Sequence, residues 1–171
     1  MGLRIFLGNG PWYKEGYYGV RAGSRWPHFE EEGNQYLPFP FYLAYATAIL
    51  ERAGHQCLLV DGVAERLPES EFIQRAAAFQ PDITLLEVST ATLETDLRQA
   101  QAIKDRCPQT RVVLCGIHLD MYRPGFLDEH PLVDFVLKGE YDLVVETLVR
   151  AIENQTGFSQ APNLVYRGED G

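Results

Sequence analysis

Short apolar runs and longer amphipathic segments alternate along this chain. Leu3–Leu7 has the length of a strand and stops at the turn cluster Gly8–Asn9–Gly10–Pro11. Cys57–Val60 ends at Asp61–Gly62, Ile83–Val88 at Ser89–Thr90–Ala91–Thr92, Arg111–Cys115 at Gly116, and Val133–Leu137 at Lys138–Gly139–Glu140. Between these runs the apolar period lengthens to that of a helix. Phe39–Ala53 is apolar almost all round, which predicts a buried helix, and Gly54 stops it. Pro68–Phe79 places Phe72, Ile73, Ala76 and Phe79 on one face; Leu93–Arg106 does the same with Leu97, Ala100 and Ile103, and Pro108 ends it. A short helix is expected over Pro124–Glu129. Asp142 stands where it would cap a helix over Leu143–Asn154, whose stripe is Val145, Leu148, Val149 and Ile152.

Such strict alternation implies right-handed βαβ units and a parallel sheet covered on both faces. The expected fold is α/β, a doubly wound parallel sheet of the flavodoxin-like, Rossmann-type class with strand order 2-1-3-4-5. Its crevice lies at the carboxyl ends of the strands, between the first and the third. Residues 1–155 form one domain in this reading, with a long aromatic loop at 8–38, and 156–171 form a linker. Within that linker Asn163–Arg167 reads either as a last strand or as the start of a connection. The connection from Trp12 to Pro38 interleaves Trp12, Tyr13, Tyr17, Tyr18, Trp26, Phe29 and Tyr36 with glycines. A loop this long is either functional or a cover for a sheet edge.

Composition narrows the partners. The 171 residues are 46% hydrophobic and 23% charged, as in an ordinary globular protein, and the net charge of −9 argues against a general nucleic-acid role. Cys57, Cys107 and Cys115 have neither zinc nor redox spacing, and Cys57 and Cys115 read as buried thiols. The start carries no signal-peptide pattern, and the apolar stretch Leu37–Leu50 contains Pro38 and Pro40 and is too short to span a bilayer. A soluble, cytoplasmic protein without membrane contacts is expected.

Familiar cofactor motifs are missing. Gly8–Asn9–Gly10 lacks the third glycine of a dinucleotide fingerprint, and there is no phosphate-binding P-loop. Lys138 would suit a phospho-receiver domain, but the acidic positions of that fold hold Gly8–Asn9 and Val88–Ser89. Ser89, Thr90 and Thr92 offer hydroxyls either to cap the next helix or to meet a ligand. His118, two residues after Gly116, is either a ligand contact or a loop histidine bonded to backbone. Glu87 within the third strand needs a partner if buried, and no nucleophile–base–acid set can be read.

Taken in order, the Asn9–Pro11 turn, LERAGHQCLLVDGVAE (Leu50–Glu65), QPDITLLEVSTAT (Gln80–Thr92), QAIKDRCPQTRVVLCGIHLD (Gln101–Asp120), LVDFVLKGEYDLVVETLVRAI (Leu132–Ile152) and the closing NLVYRGEDG carry a resemblance over nearly the whole chain. It resembles the N-terminal cobalamin-binding domain of cobalamin-dependent radical S-adenosylmethionine enzymes. The resemblance implies a corrinoid held by Asn9, Gly10 and Pro11, by Ser89, Thr90 and Thr92, by Gly116, Ile117 and His118, and by Gly139, Glu140 and Tyr141. It places the nucleotide tail in the crevice beside Ser89, Thr90 and Gly116. It implies no catalytic residue or metal ligand in this chain: the CxxxCxxC triad is absent. The [4Fe–4S] cluster and S-adenosylmethionine would belong to a catalytic domain of the same chain, which would transfer a methyl group or use the corrinoid otherwise. The Asp-x-His-x-x-Gly motif is also absent, which implies a base-off corrinoid without histidine on cobalt. His28 as a ligand competes there with Trp12 or Trp26 as a cover. Two positions depart from the family pattern, Cys115 and Tyr141, where glycines are usual. The alternative reading is a corrinoid-free doubly wound module kept for docking or structure.

Overall fold

The computed structural model describes residues 2–31, 33 and 36–168. The expected last strand falls inside that range, whereas residues 169–171 of the closing motif and parts of 32–35 lie outside it. Strand β1 (Arg4–Asn9) is central, with β5 (Gln56–Asp61) on one side and β6 (Ile83–Val88) on the other, both parallel to it. Beyond β6 come β7 (Arg111–Gly116) and β8 (Phe135–Lys138), again parallel, and then β9 (Leu164–Tyr166), which is antiparallel. The order β5-β1-β6-β7-β8-β9 is therefore the doubly wound arrangement with one strand added at the edge.

The two-residue period of β1 explains its place. Ile5 and Leu7 point to one face, Phe6 to the other, and all three are fully buried. On the Phe6 side, α2 (Glu69–Phe79) and α3 (Leu93–Arg106) bring Phe72, Ile73, Ala100 and Ile103. On the other side, α1 (Phe41–Arg52) and α5 (Val145–Asn154) bring Leu43, Ala46, Leu50, Leu148 and Val149. Each such Leu, Ile or Phe contributes about 1.5–3 kcal/mol by leaving water.

Three expectations are corrected. The stretch after β1 is not an irregular loop: β2 (Tyr13–Lys14), β3 (Tyr17–Ala22) and β4 (Arg25–Glu30) form an antiparallel meander. Gly23, at φ 59°, supplies the left-handed backbone that turns β3 into β4, and Pro27 is tolerated because β4 is an edge strand. Helix α1 is buried on one stripe alone, leaving Phe41 and Tyr45 48% and 56% exposed. Asp142 does not cap α5, which begins at Val145 without a side-chain cap. A 3-10 turn (Leu119–Tyr122) and the short α4 (Phe126–Glu129) complete the chain.

Candidate functional site

The carboxyl ends of β1, β6, β7 and β8 converge at one rim of the sheet, and the tip of the β3–β4 hairpin lies across it. Arg21, at the end of β3, is completely buried there. Its five N–H groups make six contacts within hydrogen-bond distance, so that one is shared: two to Gly10 O (3.1 and 2.8 Å), one each to Glu87 O (3.3 Å) and Thr92 Oγ1 (2.7 Å), and two to the Asp96 carboxylate (2.9 and 2.6 Å). Asp96 is itself buried on α3, so the pair is a desolvated, bidentate salt bridge. Thr92 stands at the N-cap position of α3 without capping it. Its hydroxyl donates to Asp96 Oδ2 (2.7 Å) and accepts from the Ser89 amide (3.1 Å).

The hairpin turn is held from β1 and β6. Asn9 donates to Arg21 O (3.1 Å) and Asp61 (2.8 Å) and accepts from the Gly23 amide (3.1 Å). Burial raises the Asp61 carboxyl above its ordinary value, against the opposing pull of its bonds from the Ala64 amide and Asn9. Ser24 Oγ donates to Glu87 Oε1 (2.7 Å), and the Tyr141 hydroxyl donates to Glu87 Oε2 (2.8 Å). Burial pushes the Tyr141 phenol well above 10, which keeps it a donor. The buried Glu87 therefore has the partners that its place in a core strand demands. Cys115 is buried as expected, with Sγ 3.5 Å from Leu86 O; Cys57 is half-buried, its thiol pushed up to about 12 by burial.

Gly116 ends β7 at φ 118°, and a side chain there would collide with Val88 O and come within 2.8 Å of Ser24 Cβ. The space beside Gly116 is thus taken by Ser24. Likewise a Cβ on Gly23 would overlap the Glu87 carboxyl. The Tyr122 hydroxyl donates to Gly116 O and accepts from the Gly139 amide (3.1 Å), tying two rim turns together.

The sequence-derived positions thus separate into two groups. Asn9, Gly10, Pro11, Ser89, Thr92, Gly116 and Tyr141 are buried beneath or beside the hairpin. Thr90, Ile117, Gly139 and Glu140 are exposed on the rim, with His118 half-buried among them. There His118 Nδ1 lies 3.0 Å from Thr90 Oγ1, and Tyr42 donates to Glu140 (2.9 Å). His28 lies on β4 with Nδ1 2.7 Å from Trp26 O and Nε2 2.8 Å from Glu30, so both ring nitrogens are engaged within the meander. Trp12 is buried and stacks on Phe29 (4.2 Å between rings), whereas Trp26 is 56% exposed. Ser24 and Asp96 were not singled out from the sequence, and Arg21 stands out there merely as one of four cations, with Arg4, Lys14 and Arg25, in residues 1–28. An advance signal for the turn itself was Gly23–Ser24 between two aromatic-rich runs, which is a hairpin pattern.

A doubly wound sheet with a polar cluster at its switch point and an open rim beside it is a ligand-domain architecture. The family profile of the B12 binding domain matches residues 35–149, two thirds of the chain, and the chain belongs to that family. The matched segment begins after the meander. The chain is 27% identical over 158 residues to the anaerobic magnesium-protoporphyrin IX monomethyl ester cyclase of Rubrivivax gelatinosus, covering 90% of this chain and 26% of that protein. It is 29% identical over 128 residues to an uncharacterized methyltransferase of Pyrococcus horikoshii, covering 75% and 28%. In fold it is similar to the radical S-adenosylmethionine methyltransferase TsrM from Kitasatospora setae, with TM-score 0.68, 16% identity, and 99% of this chain and 29% of that chain covered. The apo cobalamin-dependent S-adenosylmethionine radical enzyme OxsB gives TM-score 0.68 at 12% identity, covering 99% and 21%. The chain is thus a B12-binding domain by family and shares its fold with one part of these two larger enzymes; it spans about a quarter of the length of the relatives it matches.

A corrinoid can be tested against this geometry in two parts. At the rim, Thr90, Ile117, Gly139 and Glu140 are exposed at the strand ends, so a ring lying there would meet their open side. The crevice does not fit a nucleotide tail, because Arg21 and Ser24 fill it. Among the described residues no group of three or more His, Cys, Asp or Glu could hold a metal ion, and no helix is long and apolar enough to cross a membrane.

Proposed function

We propose that this chain is the corrinoid-holding domain of a longer radical S-adenosylmethionine enzyme, with the corrin ring seated on the rim. A bound corrinoid would supply cobalt for methyl transfer or related radical chemistry. This chain contributes the contacts that orient the ring: Thr90, Ile117 and His118 after β6 and β7, and Gly139 and Glu140 after β8. Asn9, Gly10, Pro11, Ser89, Thr92, Gly116 and Tyr141 hold those turns in place from below. What carries the reading is the family match over 35–149 together with an open rim at the strand ends.

The ring is proposed to bind base-off and without histidine on cobalt. Supporting this, both nitrogens of His28 are already bonded, while Trp26 is exposed on the hairpin and able to cover a face. The partner is proposed to be the catalytic domain of the same chain, carrying the [4Fe–4S] cluster and S-adenosylmethionine in a cytoplasmic enzyme. Tyr36, Phe39, Phe41 and Tyr45, each about half exposed, offer it an apolar docking face. The chain is to be reconstituted with hydroxocobalamin, passed through gel filtration, and reduced for electron paramagnetic resonance. A coloured protein peak with unsplit cob(II)alamin lines is expected; nitrogen triplets that vanish in His28→Ala would refute the histidine-free arrangement. A colourless peak from folded protein would favour the second reading, a corrinoid-free docking module, for which the filled crevice speaks.

A further inference from the structure

We infer that the β3–β4 hairpin is a built-in occupant of the sheet crevice, and that this domain takes corrinoids by the ring alone, with the nucleotide tail left outside. The second half rests on the corrinoid reading above; the first half does not.

The hairpin is fitted to the crevice as a ligand would be. Arg21 reaches the space between the ends of β1 and β6, where it joins Gly10 O, Glu87 O, Thr92 and Asp96. Ser24 reaches the other side of the β6 tip and joins Glu87 above Gly116. The turn's own backbone is satisfied by Asn9, through the Gly23 amide and Arg21 O. Gly23 and Gly116 permit this close approach, since a Cβ on either would collide with Glu87 or with Val88 and Ser24.

The walls are also of the wrong chemistry for a tail. Glu87 and Asp96 are buried at 2% and 0% exposure, and each takes hydrogen bonds from the hairpin. An unprotonated dimethylbenzimidazole has one ring nitrogen that accepts and no N–H to donate, so it could not replace Arg21 and Ser24 as the partner of two carboxyl groups. The departures at Cys115 and Tyr141 fit the same account. Tyr141 fills the place of a small residue and hands its hydroxyl to Glu87, while Cys115 packs beneath. The crevice is consistently built around its own hairpin.

The test titrates the intact chain with hydroxocobalamin and with aquocobinamide, a corrinoid lacking the nucleotide, while hydrogen exchange is followed at the Gly23 and Ser24 amides. Without any corrinoid, the Gly23 amide is expected to exchange at least ~100-fold more slowly than in an unfolded chain. Exchange at the unfolded rate would overturn the hairpin's occupancy, whether or not a corrinoid binds. The two corrinoids are expected to bind within about threefold of each other, with Gly23 protection unchanged. Cobalamin binding ~100-fold tighter than cobinamide, with loss of Gly23 protection, would show that the tail displaces the hairpin and overturn the inference. If neither binds while Gly23 stays protected, the failure is that of the corrinoid reading, and the occupied crevice stands.

Discussion

Replacing Arg21 with Met probes the account where it is most exposed. Met keeps most of the stem but removes the guanidinium with all five of its N–H donors, and among the described residues Asp96 keeps the Thr92 hydroxyl as its remaining hydrogen-bond partner. Removing one partner of a buried ion pair costs about 3–5 kcal/mol, because the remaining charge is left uncompensated. That is a large share of the roughly 5–15 kcal/mol by which a domain is stable. At about 2–4 °C per kcal/mol for a chain of this size, Tm should fall by roughly 6–20 °C. The double variant Arg21→Met, Asp96→Leu removes both charges and should regain most of the loss, since an apolar pair of similar volume is often neutral. Thermal unfolding followed by circular dichroism, read as a double-mutant cycle, measures the coupling. The wild-type pair should also be insensitive to salt, being out of solvent. A single-variant loss below about 1 kcal/mol, the size of a surface pair, would refute the buried linkage.

Two further perturbations address the rim and the meander. Gly116→Ala should destabilise the fold by more than the ~1–3 kcal/mol of a left-handed non-glycine residue, because its Cβ also meets Val88 O and Ser24; denaturant unfolding showing a change within about 0.5 kcal/mol would contradict the packing described. His28 should titrate above its ordinary 6.5, chiefly through its bond to Trp26 O and also through Glu30, and Glu30→Gln should lower the midpoint in an NMR titration. The sign follows: the contribution to meander stability is fully present below about 6.5 and is lost as pH rises through the higher folded value.

How far the sequence speaks for itself depends on the range of the interaction. The parallel sheet was legible, because each strand announces itself by a local apolar run ended by turn residues, and the order then follows from alternation. The rim was legible for the same reason: Gly116–His118 and Gly139–Glu140 mark strand ends. The meander was hidden by its glycines and aromatics, which read as loop, although Gly23–Ser24 was a hairpin signal in plain view. Helix α1 misled in another way. Its apolar outer face implied burial, but Phe41 and Tyr45 stay about half exposed. The Arg21–Asp96 pair could not be read at all, for 75 residues separate its members and neither has a local pattern. Tyr141 and Cys115 were visible as departures from a family pattern, and their meaning appeared only with the structure, where Tyr141 donates to the buried Glu87 and Cys115 packs beside it.

The most direct measurement is a crystal structure of the intact chain grown with hydroxocobalamin, with cobalt located by its anomalous scattering. The account predicts cobalt over the rim near Ile117 and His118, and Ser24 Oγ still within hydrogen-bond distance of Glu87, as at 2.7 Å here. A benzimidazole ring lying where Arg21 and Ser24 now sit, with the hairpin swung aside, would contradict it.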